Sequence, residues 1–226
     1  MAKVKICGIT REEDITYLNE AEVDYAGFVF YEKSKRYIPV SEAKRISEKL
    51  NPAIRKVAVT VTPEPELIRE IEDAGFDILQ VHGEAGHALR EAAIPVWLAA
   101  NLKEPDEVRR WRPLLRNEKV SGILFDAGDY GSGKTFGWEG QANTATGNTW
   151  REAVTDFRKE AKAAQVTFIL AGGLHAGNVA DGMKLFVPDV VDVSSGVEEM
   201  ETGRGKSRKK IEVFVQTVRS QNIGME

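Results

Sequence analysis

Residues 57–81, VAVTVTPEPELIREIEDAGFDILQV, contain one complete strand–helix–strand unit. The unit begins and ends with short apolar runs, Val57–Val61 and Ile78–Val81, which indicate buried strands. Apolar residues at helical spacing predict a helix over 64–74 between them, with Pro63 at its start and Gly75 after its end. Parallel strands need a crossover of this kind, so the unit predicts a parallel sheet covered by helices.

The same alternation continues along the whole chain. The predicted strands are Val4–Cys7, Ala26–Phe30, Val57–Val61, Ile78–Val81, Val96–Ala99, Gly122–Phe125, Thr167–Ala171 and Val190–Val193. The predicted helices cover 11–21, 41–50, 64–74, 84–93, 104–116, 150–164, 176–186 and 207–219. Eight units favour a small α/β protein of the (β/α)8 TIM-barrel type, which typically takes about 250 residues. A doubly wound open sheet shows the same alternation, but no segment is left for a second domain, so we expect one barrel domain over 1–226.

Composition excludes several classes of function. The chain has 226 residues, a formal net charge of −4, and one short basic run from Arg204 to Lys210, which is a poor footprint for nucleic acid. No apolar run approaches the roughly 18 residues of a membrane span, and the N-terminus turns polar too early for a signal peptide. One cysteine and three scattered histidines form no spaced metal cluster. We therefore expect a cytoplasmic protein with no metal, no cofactor, and neither nucleic acid nor membrane as partner.

In a barrel of this type the chemistry lies where strands end. The first predicted strand ends at Cys7, and alternation places Lys5 one layer below it on the same face. A thiol there can act as a base or nucleophile if a cation lowers its pKa, although a free cysteine is more often a small buried apolar residue. Asp126 follows the sixth strand directly, and is either a catalytic acid or base or a turn residue.

Three further strand ends suggest anion binding. Arg36, after the second strand, has the geometry to hold a carboxylate, although a solvated basic loop is the simpler interpretation. Gly172 and Gly173 follow the seventh strand, and Ser195 and Gly196 follow the eighth. Backbone N–H groups of small residues approach anions closely, and these two loops commonly bind phosphate in this fold. Tight turns without a ligand remain the alternative.

The segment Gly128–Thr135 fits the nucleotide-binding pattern G-x-x-x-x-G-K-[ST] letter for letter. That motif needs a helix opening at its Lys-Thr end, whereas here the next residues include two glycines and no apolar helical stripe. We interpret it as part of a functional loop. Gln80 and His82 close the fourth strand and face either the pocket or the core, and Asp192 is expected inside the barrel beside Lys5.

Taken together, these residues resemble the phosphoribosylanthranilate isomerases of tryptophan biosynthesis. The resemblance spans nearly the whole chain and is carried by Lys5–Thr10, Gly27–Phe30, Ser34–Ile38, Gln80–Gly83, Leu124–Asp126, Gly131–Phe136, Leu170–Leu174 and Val193–Glu198. It implies that Cys7 is the general base, Asp126 the general acid, and Arg36 the group that holds the anthranilate carboxylate. It also implies a phosphate cradle at Gly172, Gly173, Ser195 and Gly196, and a mobile loop in place of the nucleotide motif.

The implied reaction is the Amadori rearrangement of N-(5′-phosphoribosyl)anthranilate, which needs neither metal nor redox cofactor. Because ordinary pKa values are wrong for an acid–base pair near neutrality, the site has to raise the pKa of Asp126 and lower that of Cys7, and we expect Lys5 to help lower it. The chain departs from the family at Gly137, at Thr62 and over 139–148. The first alternative function is a non-catalytic barrel that binds a phosphorylated ligand, and a less favoured one is a nucleotide-binding protein. The sequence does not decide between a monomer and a homodimer.

Overall fold

The computed structural model describes residues 1–101, 110–126, 150–199 and 205–223. Eight parallel strands form a closed barrel in the order β1 to β8, so the barrel is confirmed over the open sheet. The strands are β1 Lys3–Cys7, β2 Tyr25–Val29, β3 Arg55–Val61, β4 Ile78–His82, β5 Val96–Asn101, β6 Val120–Asp126, β7 Thr167–Ala171 and β8 Val190–Val193. The helices are α1 Glu12–Ala21, α2 Val40–Ser47, α3 Pro65–Asp73, α4 Gly86–Glu91, α5 Trp150–Ala163, α6 Val179–Phe186 and α7 Arg208–Ile223.

Helix boundaries differ from the sequence prediction in a few places. Pro65, and not Pro63, stands at the first position of α3, because Glu64 still has extended backbone and caps the helix. Gly75 follows the end of α3 with a φ of +74°, as a helix stop requires. Of the helix expected over 104–116, the described part is a helical turn that continues into a 3-10 helix at Arg112–Arg116.

The barrel interior is filled at its N-terminal end. Trp97 is 2% exposed and meets the ring of Tyr25 edge-on, with 5.0 Å between ring centroids. A Cβ on Gly122 would lie 2.5 Å from the Trp97 ring, so a glycine is needed where the indole crosses β6. Because these residues lie in the first half of their strands, the C-terminal end of the barrel is where space remains.

A second apolar layer lies between the strands and the helices. Phe125 of β6 contacts Phe157 of α5, with centroids 5.2 Å apart, and both side chains are fully buried. The outward-facing apolar side chains of the strands are therefore buried under the helices. Among the described residues, no helix is both long enough and apolar enough to cross a membrane.

Candidate active site

A cavity of about 560 Å³ opens at the C-terminal ends of the strands. Six of the seven residues predicted for the site line it, namely Cys7, Arg36, Asp126, Gly172, Gly173 and Ser195. The seventh, Gly196, is not part of the lining. Its role is to allow close packing, because a Cβ there would lie 2.0 Å from the carbonyl oxygen of Leu174.

Cys7 is the last residue of β1 and is 8% exposed. Below it, the fully buried ammonium of Lys5 lies 2.9 Å from Oδ2 of Asp192 on the neighbouring strand β8, as the sequence predicted. Burial raises the pKa of the Cys7 thiol, and the charge of Lys5 lowers it by less. The expectation that the site lowers the pKa of Cys7 overall is therefore wrong, although Lys5 acts in the expected direction.

The Lys5 ammonium keeps its proton in this environment. Burial lowers the pKa of Lys5, but attraction to Asp192 and to Cys7 outweighs burial and raises the pKa overall. Asp192 also lines the cavity, and its Oδ1 atom has no hydrogen-bond partner among the described residues. One oxygen of this carboxylate thus holds Lys5, while the other is buried without a hydrogen-bond partner in the described part of the chain.

Asp126 is the last residue of β6 and is partly exposed. Leu124, two residues earlier, belongs to the cluster inside the barrel, so alternation directs the Asp126 side chain into the mouth as well. Cys7 and Asp126 lie on strands three places apart around the barrel. A ligand in the cavity between them is accessible to both groups.

Arg36 is buried rather than solvated, with 8% of its surface exposed. Its Nε atom donates to Oε1 of Glu198 at 2.5 Å, and its Nη2 atom donates to Oε2 at 3.3 Å. The side chain passes directly over Gly8, where a Cβ would lie 2.5 Å from Cδ of Arg36 and where φ is +83°. Gly8 is thus required both for its backbone conformation and for the passage of Arg36.

Glu198 is the main site residue to which sequence reasoning gave no role. Burial alone raises its pKa, but hydrogen bonding to Arg36 and the charges of Lys206 and Lys35 outweigh that and lower it to about 2. Lys206 is buried, and its Nζ atom donates to the Ser194 carbonyl at 3.1 Å and to Glu198 at 3.4 Å. The sequence signal was present, since Glu198 ends the segment Val193–Glu198.

The turns after β7 and β8 contribute Gly172, Gly173 and Ser195 to the cavity lining. Gly172 and Gly173 have φ values of +92° and +63°, a conformation that L side chains rarely adopt. Ser195 begins a 3-10 helix that ends at Val197. Consecutive backbone N–H groups in such turns form concavities that suit anions.

Gln80 and His82 face the cavity from β4, so the pocket interpretation of these two residues holds. The Gln80 amide nitrogen lies 3.0 Å from Nε2 of His82. Burial, together with the charge of Lys5, lowers the pKa of His82 to about 4, so its ring is neutral near pH 7. Among the described residues, no group of three histidine, cysteine, aspartate or glutamate side chains could hold a metal ion.

Comparison with known proteins identifies the family. A sequence model described as N-(5′-phosphoribosyl)anthranilate (PRA) isomerase matches residues 4–217, which is nearly the whole chain. The chain belongs to the phosphoribosylanthranilate isomerase family. A relative of that name from Aquifex aeolicus is 36% identical and aligns over 98% of this chain and 100% of its own. Another from Thermoanaerobacter sp. (strain X514) is 35% identical over 97% of this chain and 98% of its own.

Solved structures agree with this membership. The phosphoribosylanthranilate isomerase of Thermotoga maritima has a TM-score of 0.78 and 32% identity, and covers 97% of this chain and 100% of its own. A phosphoribosylanthranilate isomerase in complex with reduced 1-(o-carboxyphenylamino)-1-deoxyribulose 5-phosphate has a TM-score of 0.75, 32% identity and the same coverage. Three of the features noted in the sequence lie outside the described residues. They are the two differences from the family pattern at Gly137 and 139–148, and the segment Gly128–Thr135. Thr62 is described and lies directly after β3, with a φ of +44°.

Proposed function

We propose that this protein is the phosphoribosylanthranilate isomerase of tryptophan biosynthesis. It converts N-(5′-phosphoribosyl)anthranilate to 1-(2-carboxyphenylamino)-1-deoxyribulose 5-phosphate by an intramolecular aldose–ketose rearrangement. The observation that carries the proposal is the convergence of Cys7 and Asp126 on one cavity, with an arginine and two glycine-rich turns in the same lining. Family membership over residues 4–217 supports the same reaction.

The substrate is an anion at both ends, and the cavity offers a binding group for each. The turns containing Gly172, Gly173, Ser195 and Gly196 bind the phosphate through backbone N–H groups. Arg36 binds the anthranilate carboxylate, because a guanidinium offers two parallel N–H donors to a planar anion. The ribose then lies between the two ends, beside the acid and the base.

The rearrangement is acid–base chemistry on this ribose. Asp126 in its protonated form donates a proton to the furanose ring oxygen, and the C1′–O bond breaks to give a Schiff base. The thiolate of Cys7 then removes the proton from C2′, the electrons of that C–H bond form the C1′=C2′ double bond of an enolamine, and the C=N electrons of the protonated Schiff base return to nitrogen. Return of a proton to C1′ and loss of the 2′-hydroxyl proton give the ketose product. Every proton taken is given back, so the rearrangement needs no external oxidant or reductant.

The thiolate is the demanding part of this mechanism. Burial disfavours it, whereas three cations, Lys5, Lys206 and Arg36, lower the pKa of Cys7. A ligand that displaces water from the cavity strengthens each of these attractions, because screening by solvent is lost. The base is therefore activated by cations built into the barrel wall and floor.

The deciding experiment follows the loss of anthranilate fluorescence from freshly prepared phosphoribosylanthranilate. Wild type should turn over, and Cys7→Ala and Asp126→Ala should each lower kcat by about 10²- to 10⁴-fold. Glu66→Gln, on the exposed face of α3, is the control and should leave the rate unchanged. No turnover by wild type, combined with tight binding of the reduced product analogue, would instead support the non-catalytic binding barrel. Full activity in either variant would remove the role of that residue.

Cellular location and quaternary state complete the proposal. We propose a cytoplasmic location, which cell fractionation tests. The quaternary state is monomer or homodimer, and one solved Thermotoga maritima relative is described as monomers generated from a dimeric enzyme. Light scattering on the purified chain separates the two states.

A further inference from the structure

Glu198 occupies one edge of the Arg36 guanidinium and leaves the other edge open. It takes the Nε hydrogen and one Nη2 hydrogen, at 2.5 Å and 3.3 Å. A guanidinium has five N–H donors in a fixed plane, so Nη1 and the second Nη2 hydrogen remain. Among the described residues, no protein group accepts from Nη1, and Arg36 lines the cavity. The open edge therefore has the arrangement of donors that a second carboxylate needs.

Glu198 is itself held from behind. Its backbone forms an antiparallel bridge with Lys206, and its carbonyl accepts from Nζ of Lys210 at 2.8 Å. Its Oε1 atom also lies 3.4 Å from Nζ of Lys206, which is buried and donates to Ser194. The carboxylate that holds Arg36 is thus fixed to the segment after β8 and to the start of α7, and it does not depend on an exposed side chain.

The charge around Glu198 shows which ligand the open edge accepts. Two cations, Arg36 and the exposed Lys35, and the buried amine of Lys206 surround this one carboxylate. The cluster therefore stays net positive after the Glu198–Arg36 pair is counted. An anionic ligand gains from it, and a neutral ligand of the same shape does not.

We propose that Glu198 is the positioning residue for substrate binding: it fixes Arg36 through the Nε/Nη2 edge so that the Nη1/Nη2 edge receives the substrate carboxylate. This inference rests on the proposed function and adds to it the residue that makes the arginine selective. The alternative is a competing role, in which Glu198 occupies Arg36 and has to be displaced before substrate binds. The two roles predict opposite changes in KM when Glu198 is removed, because loss of a positioning group weakens substrate binding and loss of a competitor strengthens it.

The test measures kcat and KM separately for Glu198→Ala and Glu198→Gln. A positioning role predicts that KM for phosphoribosylanthranilate rises at least about tenfold in Glu198→Ala, with kcat changed much less, since the interaction is the same in ground and transition states. Glu198→Gln keeps one acceptor for Nε and should have an intermediate KM. Glu199→Ala, the adjacent change, is the control and should keep the wild-type KM. An unchanged or lower KM in Glu198→Ala overturns the inference.

A double-mutant cycle separates positioning from a general structural effect. In an Arg36→Met background, Glu198→Ala should raise KM no further, because the residue acts only through Arg36. Inhibition by inorganic phosphate, which we propose to bind through the backbone N–H groups of the turns after β7 and β8, should be the same in Glu198→Ala and wild type, because the substitution leaves that backbone in place. Two results would show that Glu198 only supports the loop. One is a further rise in KM when Glu198→Ala is added to Arg36→Met, and the other is phosphate inhibition that weakens in Glu198→Ala by the same factor as substrate binding. Wild-type turnover is recorded first, so failure of the proposed function is seen separately from failure of this inference.

Discussion

The Nζ atom of Lys5 lies 2.9 Å from Oδ2 of Asp192, with both side chains buried inside the barrel one layer below Cys7. The two residues are direct partners in the register of β1 with β8. A buried ion pair seldom adds much stability, because removing both charges from water costs about as much as their attraction returns. The pair instead places a fixed cation and a fixed anion next to the one thiol of the chain.

Lys5→Met and Asp192→Asn should move the pH profile in opposite directions. Lys5 lowers the pKa of Cys7 and Asp192 raises it. Loss of Lys5 therefore raises that pKa, so the ascending limb of kcat/KM moves to higher pH and the rate near neutrality falls. Loss of Asp192 lowers the pKa of Cys7 and moves the same limb to lower pH. The limb of kcat/KM reports the free enzyme, so bound substrate does not complicate the reading.

The same pair of variants can be read without turnover. Cys7 is the only cysteine in the chain, so alkylation by iodoacetamide as a function of pH reports its thiolate alone. Lys5→Met should shift the alkylation curve to higher pH and Asp192→Asn to lower pH. If the Lys5→Met curve coincides with that of wild type, Lys5 has no part in activating the base.

Gly8→Ala should damage substrate binding as well as stability. A Cβ at Gly8 would lie 2.5 Å from Cδ of Arg36, so the arginine has to move away from its position over the cavity. We expect KM to rise about tenfold, with a loss of about 1 kcal/mol in the free energy of unfolding from the positive φ. Gly75→Ala is the matched control, with a φ of +74° and only the Lys56 ammonium within reach, at 3.6 Å. It should lose stability but keep the wild-type KM; an equal rise in both variants would contradict the steric explanation.

The sequence predicted the strands well because both of their faces are buried. Runs such as Thr167–Ala171 and Val190–Val193 are mostly apolar and have the same bounds as the observed strands. The start of α3 was predicted less well, because two prolines are equally suited to the first position of a helix and the sequence does not show which of them stands there. Pro63 and Pro65 both fit a first turn, and only the extended backbone of Glu64 decides for Pro65.

Site residues at strand ends were predictable, and those on returning segments were not. Cys7 and Asp126 follow from the rule that barrel chemistry lies at strand ends. Glu198 contacts both Arg36 and Lys206 only because the segment after β8 and the loop after β2 fold over the same rim. For the same reason the sequence suggested a solvated Arg36, since its burial depends on a partner 162 residues away.

His82 makes stability depend on pH in a defined window. Its pKa is about 4 in the folded protein against an ordinary 6.5, mainly because of burial. Between these values the unfolded chain binds more protons, so the free energy of unfolding falls as the pH is lowered from about 6.5 to 4, by about 3 kcal/mol. His82→Gln should flatten this part of the urea-denaturation profile. His87→Gln, at an exposed ring on α4, should leave it in place. The same slope in His82→Gln and wild type would contradict the assignment.

Thr62→Asn should stabilise the protein. Thr62 has a φ of +44°, where a β-branched side chain is strained and asparagine is tolerated. Its Oγ1 atom accepts from the backbone N–H of Glu84 at 3.1 Å, and an asparagine side-chain oxygen can take over that hydrogen bond. We expect a gain of about 1 kcal/mol in the free energy of unfolding, measured by urea denaturation. Thr62→Val keeps the branch and loses the acceptor, so it should be less stable than wild type. A loss of stability in Thr62→Asn would show that the backbone there is not strained.

Gly196→Ala should weaken the phosphate end of the site without touching the acid or the base. A Cβ at this position would lie 2.0 Å from the Leu174 carbonyl oxygen, which is backbone and cannot rotate away. The turn after β8 must therefore separate from the turn after β7, and the N–H groups of the two turns no longer converge on one anion. We expect inhibition by inorganic phosphate to weaken at least about tenfold and KM to rise by a similar factor. Gly177→Ala is the control, because its Cβ would meet only the exposed ring of His175, at 3.2 Å. Unchanged phosphate inhibition in Gly196→Ala would place the phosphate elsewhere in the cavity.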